Sequence, residues 1–176
     1  MITSQSGYIL GIGSNIEPYK NIALIITELV NTFKTIHLSR VLQIPPIGMN
    51  SSRDFLNLVV FIETDLPELD LKQQCNQIET ALGRDRNDPD RKMKDRPADL
   101  DILAAAHFPE DAMRPANSIT DEYFLYPLLD ELTSFLTDKD CNLLQHGKKI
   151  EIGDLTFGQT ATTINRDRRA GNEGVV

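Results

Sequence analysis

The stretch "RPADLDIL" (96–103) sets two aspartates, Asp99 and Asp101, on either side of a leucine in a run that otherwise reads as a buried strand. In an extended chain residues i and i+2 point to the same side, about 6.5–7 Å apart. The two carboxylates therefore face together, while Leu100 and Ile102 face the opposite layer. Such a pair suits one or two Mg²⁺ ions, hard cations that favour oxygen ligands, and two ions can clamp the attacked and departing oxygens of a phosphoryl group. Alone, a D-x-D also fits two solvated aspartates on a half-exposed strand.

Context comes from the preceding loop, residues 84–97, which carries Arg84, Arg86, Arg91, Lys92, Lys94 and Arg96 in a chain of net charge −8. Guanidinium groups bind phosphate oxygens in bidentate fashion, and lysines add mobile point charges. Beside a carboxylate pair, the loop reads as the other half of a metal–polyphosphate site, although Asp85, Asp88, Asp90 and Asp95 could neutralise it locally. A third piece is "PPIGMNSSRDFLN" (45–57). Phe55 and Asn57 share a strand face, where an aromatic ring can stack on a flat heterocycle and a carboxamide can bond its edge. Pro45 and Pro46 stiffen a loop whose backbone groups can complete the pocket.

Other chemistries lack their residues. Ile16 stands where G-x-G-x-x-G needs its last glycine, and there is no GxxxxGK[ST]. No GxSxG occurs. His37, His107 and His146 lie far apart, and Cys75 and Cys141 lack metal-site spacing, which argues against a zinc site and a disulfide framework. The acidic balance argues against nucleic acid or an anionic membrane as partner. No basic segment leads into an apolar h-region, and no apolar run approaches the ~18 residues a membrane span needs. The expectation is a soluble, cytoplasmic chain.

The elements that must position these groups follow from periodicity. The length of 176 residues with 40% hydrophobic content fits one domain, with or without a tail. "GYILGI" reads as a buried strand ending at the turn "GSN". Ile22, Ile25, Ile26, Leu29, Val30 and Phe33 recur at helical spacing over 19–33. Residues 36–44 and 55–64 read as strands. Pro67 opens a second helix with Leu71, Cys75, Ile78 and Leu82 on one stripe, closed by Gly83. Residues 99–106 form a fourth strand, 107–120 are irregular, and 123–136 starts extended and turns helical near Pro127. The order β-α-β-β-α-β is the split βαβ arrangement of a ferredoxin-like α+β sandwich, an antiparallel sheet with helices packed on it. Residues 137–176 are less periodic, and "NRDRRAGNEG" reads as a mobile tail.

With "GSN" (13–15), "PPIG" (45–48), "DFLN" (54–57), "IETALGRDR" (78–86), "RPADLDIL" (96–103) and "FLYPL" (124–128) in that order, the chain resembles the 6-hydroxymethyl-7,8-dihydropterin pyrophosphokinase family from about Tyr8 to Leu136. The resemblance implies a ferredoxin-like fold over residues 1–150, with 151–176 as a C-terminal extension. It implies transfer of pyrophosphate from ATP to the pterin's hydroxymethyl group, with AMP released, as a step of folate biosynthesis. By motif position, Asp99 and Asp101 would bind two Mg²⁺. Arg84, Arg86, Arg91 and Arg96 would hold phosphates, and Asn76 and Glu79 would lie near the nucleotide. Phe55, Asn57 and Tyr123, with the backbone around Pro45 and Ile47, would grip the pterin. A monomer would suffice, since both substrates fit one pocket.

The resemblance fails at "MRPANSITDEYFLYPL" (113–128). A Pro-His motif usual in the family is missing, Asp121 stands where an arginine is expected, and the chain has no Trp. Either Arg114 or the tail residues Arg166, Arg168 and Arg169 replace the lost charge, or the chain is a divergent paralogue with another substrate or a non-catalytic pterin- or nucleotide-binding module.

Overall fold

The computed structural model describes residues 4–91 and 94–167. It is an α+β fold in which a six-stranded antiparallel sheet carries helices on both faces. The chain runs through β1 (Gln5–Ser14), α1 (Pro18–Phe33), β2 (Thr35–Leu38), β3 (Leu42–Ile44), β4 (Phe55–Glu63), α2 (Glu68–Ala81), β5 (Asp99–Phe108), α3 (Tyr126–Leu136), β6 (Ile150–Ile152), β7 (Leu155–Phe157) and β8 (Thr162–Asn165). The sheet order is β5-β1-β4-β2-β8, with β3 also paired to β4, while β6 and β7 form a separate hairpin. Its four strands β5-β1-β4-β2 keep the ferredoxin-like order expected, and β8 extends it at the β2 edge. Among the described residues no helix is long and apolar enough to cross a membrane.

The period-2 pattern sorts the sheet into two faces. Leu10, Ile12, Leu56, Leu58, Val60, Ile62 and Leu100 pack against α1 and α2. Ile9, Val59, Phe61, Ala106 and Phe108 pack against Leu128, Leu129 and Leu132 of α3. A bulge between Ile9/Leu10 of β1 and the facing part of β5 shifts the register, pairing Ile9 with Ala104 and Leu10 with Ile102. The bulge keeps Leu103 on the α3 side with Ala106 and Phe108, although its number is of the other parity. α2 starts with Glu68 and Asp70 in its first turn, where acidic groups meet the positive end of the helix dipole. It ends at Gly83, whose φ of 100° requires glycine.

Several expectations need correction. The strand expected over 36–44 is two strands, because Ser39 takes over the ladder. Its N–H donates to the Val59 carbonyl (3.0 Å) and its hydroxyl accepts from the Val59 N–H (3.0 Å). The next N–H, of Arg40, then leaves the sheet for the Glu131 carboxylate of α3 (2.8 Å). Arg40 Nε and Nη2 also reach Glu131 Oε2, each at 2.9 Å, and its Nη1 donates to the Gln145 carbonyl. This buried pair braces α3 and the following segment against the sheet. Tyr123–Leu125 is a 3₁₀ turn rather than an extended segment, and 3₁₀ turns at Glu110–Met113 and Ala116–Ser118 order the region read as irregular. Residues 150–165 also supply structure. Ile150, Leu155, Phe157 and Ile164 are in the core beneath α1, and β8 pairs with β2. The tail expected to be mobile lies, from residue 168 on, outside the described residues.

Candidate functional site

On the α3 face, the sheet is uncovered beyond Leu125. There the register aligns Asp99 with Gly13 and Gly13 with Asn57, and one step below aligns Asp101 with Gly11. Phe55 lies next to Asn57 on that face. The glycine between them leaves a floor of bare backbone. A Cβ at Gly13 would come within 2.6 Å of Asn57 Nδ2 and 3.4 Å of Phe55 Cδ1, so any side chain there would displace the carboxamide.

A cleft of about 300 Å³ opens over this floor. Of the residues singled out from sequence, Pro45, Ile47, Phe55, Asn57, Arg96, Asp99 and Tyr123 all line it. Phe55 is buried, and Tyr123 is 63% exposed and set edge-on to Phe124. A second cleft of about 310 Å³ lies beside it, lined by Arg84, Arg91, Lys94 and Arg96 with Asp85, Asp88 and Asp95. Arg96 belongs to both walls, and its guanidinium carbon stands 6.0 Å from the centre of the Phe55 ring. Arg86 and Asn76 line neither of these two clefts; Asn76 is half-buried one turn before Glu79 on α2.

The arginines are held by carboxylates. Arg84 Nη1 donates to Asp99 Oδ1 (2.8 Å), Glu79 Oε2 (2.9 Å) and the Ala98 carbonyl (3.2 Å), and Arg96 Nη1 donates to Asp99 Oδ2 (3.0 Å). Burial works against the Arg84 charge, but the bond and the field of Asp99 outweigh it and hold the guanidinium above its usual value. Arg84 Nε is buried without an acceptor among the described residues. Glu79 is fully buried and accepts from Arg84, Arg86 and the Leu100 N–H (2.8 Å). It is thus an anchor for the arginines, set beneath the surface.

Asp101 sits in an acidic field. Its side chain is exposed and lines neither cleft, yet desolvation by the surrounding protein and the charges of Asp99, Glu122 and Glu79 push its carboxyl up to about 6, with Arg84 pulling the other way. Glu122, half-buried in the first cleft, is raised by burial and by Asp99. Asp121, exposed to solvent, also lines that cleft. Two of the expected substitutes for the lost cation make their bonds elsewhere. Arg114 donates to the Ala105 carbonyl, and Arg166 to the Asn31 carbonyl near the end of α1. Arg168 and Arg169 lie outside the described residues.

Among the residues that sequence reasoning left without a role is Asn15, 2% exposed. Its N–H donates to the Arg96 carbonyl (3.0 Å) and its side-chain oxygen accepts from the Arg96 N–H (2.6 Å). A carboxamide directly after a buried strand was the available signal, since a buried amide must find partners. Glu122 and Asp95 gave none.

The family model of 7,8-dihydro-6-hydroxymethylpterin-pyrophosphokinase matches residues 9–133, which include every residue lining both clefts. Relatives include the 2-amino-4-hydroxy-6-hydroxymethyldihydropteridine pyrophosphokinase of Porphyromonas gingivalis, 31% identical over 103 residues, 57% of this chain and 70% of that protein. The enzyme of the same name from Bacillus subtilis is 33% identical over 97 residues, 53% of this chain and 56% of that one. Its counterpart in Methylorubrum extorquens is 36% identical over 98 residues, 54% of this chain and 60% of that one. The span of the family match and the order of its motifs along the sheet lead to one assignment: this chain belongs to the 7,8-dihydro-6-hydroxymethylpterin-pyrophosphokinase family.

Proposed function

We propose that this chain transfers a pyrophosphoryl group from MgATP to the hydroxymethyl oxygen of 6-hydroxymethyl-7,8-dihydropterin and releases AMP. The new bond joins the alcohol oxygen to the β-phosphorus, the α–β bridge breaks toward AMP, and the hydroxyl proton is lost. The observation that carries the reading is the single cleft in which Phe55, Asn57 and Tyr123 meet Asp99 and Arg96. A flat heterocycle between Phe55 and Tyr123, with its edge on Asn57 and the backbone near Pro45 and Ile47, would hold its substituent toward the aspartates. Arg84, Arg91 and Arg96 line the adjoining cleft, where they would take the phosphates, with Arg86 beside them. Glu79 would serve the nucleotide by orienting Arg84 and Arg86, and Asn76 would lie on the nucleotide side of α2.

The donor set fits a hard cation. Among the described residues no trio of His, Cys, Asp or Glu is placed to hold an ion, which leaves the two carboxylates Asp99 and Asp101. Mg²⁺ is commonly held by one or two carboxylates, with phosphate oxygens and water completing its shell. Two Mg²⁺ ions on Asp99 and Asp101 would supply positive charge to the triphosphate and lower the pKa of the attacking hydroxyl. The acidic field at Asp101 is the feature of the chain that such charge would relieve. Arg84, which holds Asp99, keeps a further donor for phosphate in its buried Nε, which has no acceptor among the described residues. One copy of the chain carries both clefts. Use of ATP and two free cysteines accord with the cytoplasm.

Incubation with MgATP and the hydroxymethyldihydropterin should yield AMP and the pterin diphosphate together. A second reading, a paralogue acting on another substrate or binding without catalysis, is favoured by Asp121 and Glu122 in the cleft wall, since both repel phosphate. Pterin binding by calorimetry with no AMP formed would decide for it. Arg96→Ala should weaken binding of a nonhydrolysable MgATP analogue by about tenfold or more and pterin binding by less. Equal losses would make Arg96 a purely structural group.

A further inference from the structure

Loop 45–54 walls the heterocycle cleft and loop 84–97 carries the phosphate arginines, and one side chain joins them. Asp95 Oδ1 accepts from Asn15 Nδ2 (2.8 Å) and from the Ser51 hydroxyl. Its Oδ2 lies 3.5 Å from Arg53 Nε. Ser51 Oγ also accepts from the Arg53 N–H (3.0 Å), and Asn15 Nδ2 reaches the Arg53 carbonyl (3.4 Å). Asn15 in turn holds both backbone groups of Arg96, as described above. Three segments far apart in sequence (the turn after β1, loop 45–54 and the base of loop 84–97) thus meet at one carboxylate.

A carboxylate in the wall of a phosphate cleft would ordinarily oppose its ligand. Here its oxygens are already engaged by an amide, a hydroxyl and the Arg53 guanidinium, whose positive charge partly offsets its own. We propose that Asp95 is a positioning residue that clamps loop 45–54 to loop 84–97, setting the heterocycle wall and Arg96 at a fixed distance from each other. The effect on ligands rests on the pyrophosphokinase reading; the clamp does not.

The test compares Asp95→Ala with Asp95→Asn. Both strong bonds fall on one oxygen, which asparagine retains, so Asp95→Asn keeps the clamp and loses only the Arg53 contact. Hydrogen exchange on the ligand-free protein should show amides of 49–54 and of Asn15 and Arg96 exchanging about tenfold or more faster in Asp95→Ala, with α1 unchanged and Asp95→Asn close to the parent. Ser51→Ala should loosen 49–54 alone, and it serves if Asp95→Ala does not fold. Unchanged exchange in 49–54, an equal rise throughout α1, or an Asp95→Asn as loose as Asp95→Ala would each overturn the proposal. For ligands, affinity for the pterin and for a nonhydrolysable MgATP analogue should each fall about tenfold in Asp95→Ala and recover in Asp95→Asn. A loss confined to one ligand overturns the joint role. If the parent binds neither ligand, the pyrophosphokinase reading fails, and the exchange measurements still decide the clamp.

Discussion

Asp101→Asn is expected to give a protein that melts higher than its parent at pH 7 and has lost activity by a factor of about 10³ or more. The two effects have one cause. The ionised Asp101 feels the charges of Asp99, Glu122 and Glu79, with Arg84 pulling the other way. Its folded pKa of about 6 exceeds the unfolded value, so the folded state binds more protons between about pH 4 and 6. Stability contributed by this group is therefore lost as pH rises through that window, and the cost is fully present above it. A dry carboxyl so shifted would cost about 3 kcal/mol, but solvent screens Asp101, so removal of its charge should return about 1 kcal/mol, or about 2–4 °C for a chain of this size. Melting curves at pH 4 and pH 7 check the sign, since the parent and Asp101→Asn should differ at the higher pH and converge at the lower. Mg²⁺ with a nonhydrolysable ATP analogue should then raise the melting temperature of the parent more than that of the variant. A variant no more stable than its parent at pH 7 would remove the acidic-field account.

Glu79→Ala should be the most destabilising single change near the site. It leaves the nearly buried Arg84, the half-buried Arg86 and the Leu100 N–H short of an acceptor. Breaking a buried ion pair from one side costs about 3–5 kcal/mol, and an abandoned amide adds to that. Glu79→Gln retains an acceptor for Leu100 and should lose less. Urea unfolding, read as the midpoint at unchanged slope, measures both. If Glu79→Ala costs no more than a surface substitution, the arginines are not anchored from below.

The two-residue period of "DLDIL" and of "FLN" was enough to put Asp99 with Asp101 and Phe55 with Asn57, because successive side chains of a strand alternate between faces; that the two pairs share one face of the sheet follows only from the strand register. β1, α1, β4 and α2 were legible for the same reason: each buries a continuous apolar face. The break between β2 and β3 was not, since it depends on the Ser39 hydroxyl meeting Val59 and on Arg40 meeting Glu131, 91 positions away. β8 is four residues at a sheet edge with one core side chain, too little for a pattern to show. The pairing of Asp99 with Arg84 and Arg96 was hidden by the same loop that made those arginines conspicuous, because composition gives charges but not partners. Glu79 is different. It continues the spacing of four set by Leu71 and Cys75, so its place on the buried stripe was readable, and its assignment to the nucleotide side drew on resemblance instead.

The pairing of β8 with β2 also has a consequence in time. A chain made from its N-terminus completes β2 long before residues 162–165 exist, so Ile36, His37 and Leu38 offer an open strand edge until those residues emerge. An open edge is a template for wrong partners. Closure of this edge therefore waits on residues 162–165, more than a hundred positions after β2, and premature termination before Thr162 would release a polypeptide with its arginines and aspartates in place and that edge still available to pair with a neighbouring molecule.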